Sequence, residues 1–342
     1  MKKSVLIFII ILSFALKNHT KTAQKIYAIY NPPANRKAHK VLKRMGINTV
    51  FIKTDYKAAV FFKKRRYKVY ISFPVFFNRH MLKVYPGLHA IDKNGHPLPK
   101  ISWYRGINPG VRWYRNLQLR KLRYIIKGYK IDGIALDFIR YPVHWEPKNK
   151  LLADSSFDVH TLKQFQKYIN KTIPFPLKKT RLVCRWIYSN HRKDWTKFKC
   201  KIISGFISQV KKIIKANNRK IKLGVFMIPW NNDDYLGAIK TIAAQDIDLI
   251  RKPADFISPM LYHKMLGNNI QWFEKTLRYF VRKNHSKNIL PILQGFNIKP
   301  SEILKAMRIS NTLPGSSGFI IFGYKHLNFT KKRAIARYIT GR

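Results

Sequence analysis

The chain has 342 residues, 46% hydrophobic and 14% aromatic, which is enough apolar surface for a large core and too much for a disordered chain. Its 68 Lys and Arg against 15 Asp and Glu give a formal charge of +53. The basic residues run from end to end, without zinc-finger spacing, an RNP-type strand or a helix-turn-helix, so the charge reads first as compositional drift, with loose adhesion to anionic polymers or a membrane surface as a by-product, and speaks against a specific nucleic-acid module.

Lys2 and Lys3 precede an apolar run from Val5 to Leu16, the length of a signal-peptide core and short for a spanning helix. Ser13-Phe14-Ala15 offers a small-x-small cleavage site. Residues 1–23 therefore read as a signal peptide or N-terminal anchor, residues 24–342 as one domain, and the chain as exported: extracellular, periplasmic or membrane-tethered.

From there, apolar β-rich runs alternate with amphipathic stretches. Strands are predicted at 25–31, 47–53, 68–77, 133–138, 222–228, 256–261, 289–293 and 318–322. Helices are predicted at 35–45 (closed by Gly46), 56–66, 109–127, 159–170, 195–216, 236–250, 270–282, 300–307 and 331–339. Long irregular stretches interrupt the rhythm after the third strand (78–108) and the fourth (143–194), and loops of that length usually carry function. Eight strands, each followed by a helix and nearly continuous in apolar residues, predict a (β/α)8 TIM barrel as a single domain. A doubly wound open sheet would normally place a glycine-rich turn after its first strand; here that turn is Asn31-Pro32-Pro33.

Cys184 and Cys200 could pair in an oxidising compartment or remain free, and they match no metal-ligand spacing. No metal and no cofactor is expected, because the sequence holds no phosphate cradle, nucleotide fingerprint or three-histidine set.

Reacting groups of such barrels lie at the C-terminal strand ends. Those ends present Tyr30, Asn31, Arg140, Trp230, Tyr262, His263 and Gln294, a crown of aromatic and polar groups suited to stacking on sugar rings and bonding their hydroxyls. With so few acids in the chain, a carboxylate at a strand end is informative. Asp137 closes the apolar Ile134-Ala135-Leu136, with Arg140 three residues on, as a nucleophile or a stabiliser of an oxocarbenium-like transition state would. A structural Asp–Arg pair is the plainer reading. Asp233 or Asp234 is the candidate general acid, although either could simply cap the next helix, and Glu146 in the long loop is the outlying choice.

The run Asp132–Pro142, DGIALDFIRYP, resembles the signature of the glycoside-hydrolase-like (β/α)8 barrel family, distantly related to the α-amylase and α-galactosidase barrels. Supporting matches follow in order: Asn108-Pro109-Gly110-Val111-Arg112, Ser156-Phe157-Asp158 ahead of Phe165, Trp195 with Phe198-Lys199, Gln245-Asp246, Asp255–Tyr262 and Gln294-Gly295-Phe296. The resemblance spans about Lys25 to Leu327. It implies a carbohydrate substrate and Asp137 as nucleophile. Lys199 stands where that family usually has arginine, and the third strand ends without a charged group. A non-catalytic glycan-binding or envelope-associated barrel is therefore the alternative to a glycoside hydrolase, and a surface adhesin exploiting the positive charge is a third reading.

Overall fold

A computed structural model describes residues 24–146, 150, 152–217, 220–285 and 288–341; the expected leader lies outside them. The eight strands are β1 (Ile26–Tyr30), β2 (Thr49–Ile52), β3 (Lys68–Pro74), β4 (Gly133–Asp137), β5 (Lys222–Met227), β6 (Phe256–Leu261), β7 (Ile292–Gln294) and β8 (Gly318–Phe322). All pair in parallel, each with the next, and β8 closes on β1. The chain is a (β/α)8 barrel with long loops after β3 and β4.

Alternate strand residues fill the barrel, and size complementarity sets the layers. Near the strand entries the rings of Phe51, Tyr70 and Phe256 meet, with Phe51 and Tyr70 stacked at 4.8 Å. Gly133 and Gly224 make room for them: a Cβ would meet Tyr70 Cε1 at 2.2 Å and Phe256 Cζ at 2.0 Å. Substituting either glycine would overpack the core. One layer higher, the rings of Tyr30, Phe226, Phe322 and Tyr262 form an aromatic floor across the barrel mouth.

Helix boundaries follow side-chain caps. Asn35, Asp55, Asp158, Asn269 and Asn328 each accept the N–H three residues on. The helix expected over 236–250 is instead two short turns, Ala238–Thr241 and Ile247–Ile250. Backbone at positive φ, at Gly237 (74°) and Ala244 (57°), breaks the run. The break lets the buried Gln245 side chain accept from Ile228 N (2.9 Å) and donate to Phe226 O (3.0 Å) and Ile139 O (3.3 Å), lacing β5 to the turn after β4. Pro291 delays β7, which begins at Ile292 and not at Ile289. Helices Arg79–Val84 and Thr180–Asn190 occupy stretches expected to be irregular. Both cysteines are free and buried.

Candidate active site

β4 delivers Asp137 to the barrel mouth, where Pro74 of β3 is its partner in register. Phe138 then turns into the left-handed region (φ 50°), an unfavourable conformation for a bulky side chain. The turn aims the Phe138 N–H at its own neighbour, Asp137 Oδ1, at 2.7 Å. It also lays the Phe138 ring against Phe77 (4.7 Å) and Tyr104 (5.6 Å) from the loop after β3. The Arg140 guanidinium lies 5.0 Å from the Phe138 ring centre. Arg140 is buried, 3% exposed, and its Nε and Nη1 have no hydrogen-bond partner among the described residues. An orphaned, desolvated guanidinium is costly, so this one is available to a ligand.

Arg140, Glu146, Tyr104 and Trp145 line a hollow of about 250 Å³, completed by residues 101–103, Val143, His144 and Met265. This is at the small end of ligand-sized pockets. Asp137 is not in its wall. It sits beside the hollow, close enough to Tyr30 and Tyr262 for its charge to hold both phenols above their usual range, an effect second only to burial. Trp145 stacks over Tyr262 at 6.1 Å, joining the hollow to the aromatic floor.

Burial raises the Asp137 carboxyl to about 6, against the pull of Arg140 and the Phe138 N–H. Glu146 is also pushed up, by burial first and then by the charge of Asp137, again against Arg140. Arg140 is therefore the cation the two acids share, although neither meets it in a direct ion pair among the described residues. Nearly every other carboxylate is engaged: Asp132 by Lys63, Asp255 by Lys211, Asp154 by Lys199, Glu302 by His263 and Lys264. Among the described residues, Asp92, Asp137, Glu146, Asp233 and Asp234 lack both a cationic partner and a helix-capping role; Asp92 and Asp234 close turns on nearby N–H groups and Asp233 is exposed, which leaves Asp137 and Glu146.

The other expected site residues are not brought to this place. Asp234 closes a turn on Asn231, accepting its N–H (2.8 Å) and side-chain amide (3.0 Å), while Asp233 faces solvent. The turn leans on the helix Ile270–Lys283, where Tyr279 Oη accepts from Asn232 N at 3.1 Å, and neither acid perturbs Asp137. His263 points under the rim toward Glu302 Oε2 (3.3 Å) and against Phe273. Gln294 accepts from Met265 N and donates to Phe296 O, pinning two loops. Trp230 is buried against Tyr235, and Asn31 is an exposed turn residue at φ 49°. Tyr30, Arg140 and Tyr262 remain with Asp137 and Glu146.

Tyr104 and Phe138 were not legible as site residues, because their stacking depends on two loops meeting across β3 and β4. The motif matches prove to be joints. Asn108 Nδ2 donates to Asp158 Oδ2 (2.6 Å), and Gly110 sits where a Cβ would meet Thr161 Oγ1 at 2.1 Å. Lys199, wholly buried, pairs with Asp154, which also accepts from Trp195 Nε1 (3.0 Å) and Tyr188 Oη (3.1 Å). Lys199 further donates to Thr241 O at 2.7 Å, tying Asp154 to the turn Ala238–Thr241. The described residues contain no cluster able to hold a metal and no helix long and apolar enough to cross a membrane.

No protein-family model and no curated protein matches the sequence. Solved structures do match the fold. The PgaB (BpsB) glycoside hydrolase domain from Bordetella bronchiseptica superposes with a TM-score of 0.69 at 13% identity, covering 93% of this chain and 99% of that one. A GH42 β-galactosidase from G. stearothermophilus gives 0.66 at 11% identity, over 94% of this chain and 57% of that one. A chitinase from Chromobacterium violaceum gives 0.54 at 11%, over 93% and 100%. The chain thus has a barrel of the kind found in glycoside hydrolases, and spans little more than half of the β-galactosidase.

Proposed function

We propose that the protein is a glycoside hydrolase in which Asp137 and Glu146 are the working carboxylates. One observation carries the reading: among the described residues, the two enclosed acids that have neither a cation, a helix cap nor a turn of their own stand at the same strand-exit mouth, beside one aromatic-lined hollow. Asp137, at the end of β4 and the closer to the barrel floor, is the group that in its ionised form attacks or stabilises the oxocarbenium-like centre. Glu146, its carboxyl pushed up by burial and by the charge of Asp137 against the pull of Arg140, donates its proton to the departing glycosidic oxygen. The free N–H groups of Arg140 and the phenols of Tyr30 and Tyr262 bind sugar hydroxyls, with Trp145 and Tyr104 as stacking faces. Asp233, Asp234, His263, Gln294, Trp230 and Asn31 have no part in this reading.

The substrate is a polysaccharide or oligosaccharide, a reading supported by the glycosidases that share the fold. Export, with residues 1–23 as leader or anchor, is part of the same proposal and rests on Lys2, Lys3 and the run Val5–Leu16. The test is to assay purified protein and its Asp137→Asn variant against a panel of bacterial envelope and storage glycans. Hydrolysis that disappears in the variant supports the assignment. Glycan binding without cleavage by the parent protein would favour the non-catalytic barrel.

A further inference from the structure

Strand entries and strand exits carry charge very differently. The links leading into β2–β8 contain only two acids, Asp132 and Asp255, and both are already taken, by Lys63 at 2.8 Å and by Lys211. Around them stand exposed bases: Lys43 and Arg44, Lys64 and Arg66, Lys127 and Lys130, Lys215, Lys252 and Arg282. Part of this pattern is ordinary, since cations in the last turn of a helix complement its dipole. That does not explain the lysines at the strand entries themselves. Lys25, just before β1, and Lys68 and Lys222, the first residues of β3 and β5, line with Asp255 a hollow of about 390 Å³ at the barrel's entry mouth. Lys25 donates to Ser316 O at 2.7 Å, while Lys68 and Lys222 are exposed and, among the described residues, have no acidic partner. Three lysines against a single carboxylate, itself bound to Lys211, favour an anionic surface brought against them.

We propose that the strand-entry end of the barrel docks on an anionic lipid surface, with Lys25, Lys68 and Lys222 at its centre. The chain enters the barrel at this same end, at Gln24. Only residues 17–23 separate it from the apolar run Val5–Leu16, so that run lies within about 30 Å of the entry mouth at full extension. A membrane-associated run would therefore hold this face, and no other, against the headgroups, and would turn the candidate sugar site outward. The inference is independent of the catalytic reading.

The test is flotation of the full chain with vesicles of phosphatidylcholine mixed with phosphatidylglycerol, compared with phosphatidylcholine alone. The difference between them removes any contribution of the apolar run. At roughly fivefold per lysine, the variant Lys25→Gln/Lys68→Gln/Lys222→Gln should lose roughly 100-fold of the phosphatidylglycerol-dependent affinity. An equal-charge control, Lys171→Gln/Lys178→Gln/Lys193→Gln on the excursion between β4 and β5, should lose only a few-fold. If the first triple variant melts abnormally, Lys68→Gln and Lys222→Gln singly, both at exposed positions, should each lose roughly fivefold. Equal losses in the two triple variants, or no preference for the mixed vesicles, would overturn the proposal. So would an equal fall in affinity for a short DNA duplex in the first variant, which would assign the face to nucleic acid.

Discussion

The two ends of the barrel treat a carboxylate in opposite ways. At the entry end, Asp132 sits one residue before β4, accepts Val69 N at 2.7 Å and pairs with Lys63; Asp255 sits one residue before β6, accepts Leu223 N at 2.7 Å and pairs with Lys211. Each clamps a strand to its predecessor and to a helix. At the exit end, Asp137 accepts only the N–H of the next residue, and Glu146 accepts none among the described residues. Burial raises both. The chain has base enough to neutralise every acid many times over, so acids left without partners in enclosed positions mark where chemistry is worth its cost in stability.

The largest effect should come from removing the exit-end acids. Asp137→Asn and Glu146→Gln should each lower kcat by about 10²–10⁴ with the fold intact, read by initial rates on whichever glycan the parent cleaves. Asp234→Asn should leave the rate within about twofold of the parent, and a loss as large as that of Glu146→Gln would return the acid role to β5.

Breaking the Asp154–Lys199 pair comes next. Lys199→Met leaves Asp154 enclosed without its cation and should cost about 3–5 kcal/mol in denaturant titrations. Lys199→Arg should recover most of that loss if the site accepts the larger head.

The comparison between ends is sharpest in stability. Asp137 has its folded pKa raised from 3.8 to about 6, so the folded state holds its proton more tightly and the chain loses stability as pH rises through that interval. Asp137→Asn removes the loss. It should stabilise the protein by up to about 3 kcal/mol at pH 8 and by nothing near pH 3. Asp132→Asn and Asp255→Asn should do the reverse at neutral pH, each destabilising by about 1–2 kcal/mol while leaving the rate per folded molecule unchanged. Thermal melts at two pH values would separate the pairs, and Asp137→Asn melting lower than the parent at pH 8 would contradict this account of the exit end.

The smallest effect is a displacement. Arg140→Met withdraws the cation that draws both exit acids down, so the pH–rate profile should move to higher pH while the overall melt changes little. A profile shifted to lower pH would exclude Arg140 as their shared counter-charge.

The barrel was legible because its strands are buried on both faces and read as continuous apolar runs, punctuated by Asn and Asp caps. The errors sit where backbone departs from the right-handed region, at Gly237 and Ala244, or loses a donor, at Pro291. Asp137 was visible because an acid ending Ile134-Ala135-Leu136 breaks a pattern. The proposed companion was harder to single out: closeness to a strand end favoured Asp233 and Asp234 over Glu146, and only the structure places Glu146 at the hollow beside Arg140. Asn231, two and three residues away from those acids, is the local signal that they form a self-contained turn.

The most direct measurement is the pH dependence of kcat/KM for the parent, Glu146→Gln and Asp137→Asn on one cleaved glycan. In the parent, the profile should carry two limbs, one of them near pH 6 from Asp137 and the other from Glu146. Asp137→Asn should lose the limb near pH 6, and Glu146→Gln should keep that limb and lose the other. A parent profile flat across this range, or one carrying both limbs unchanged in the two variants, would contradict the assignment of these two acids.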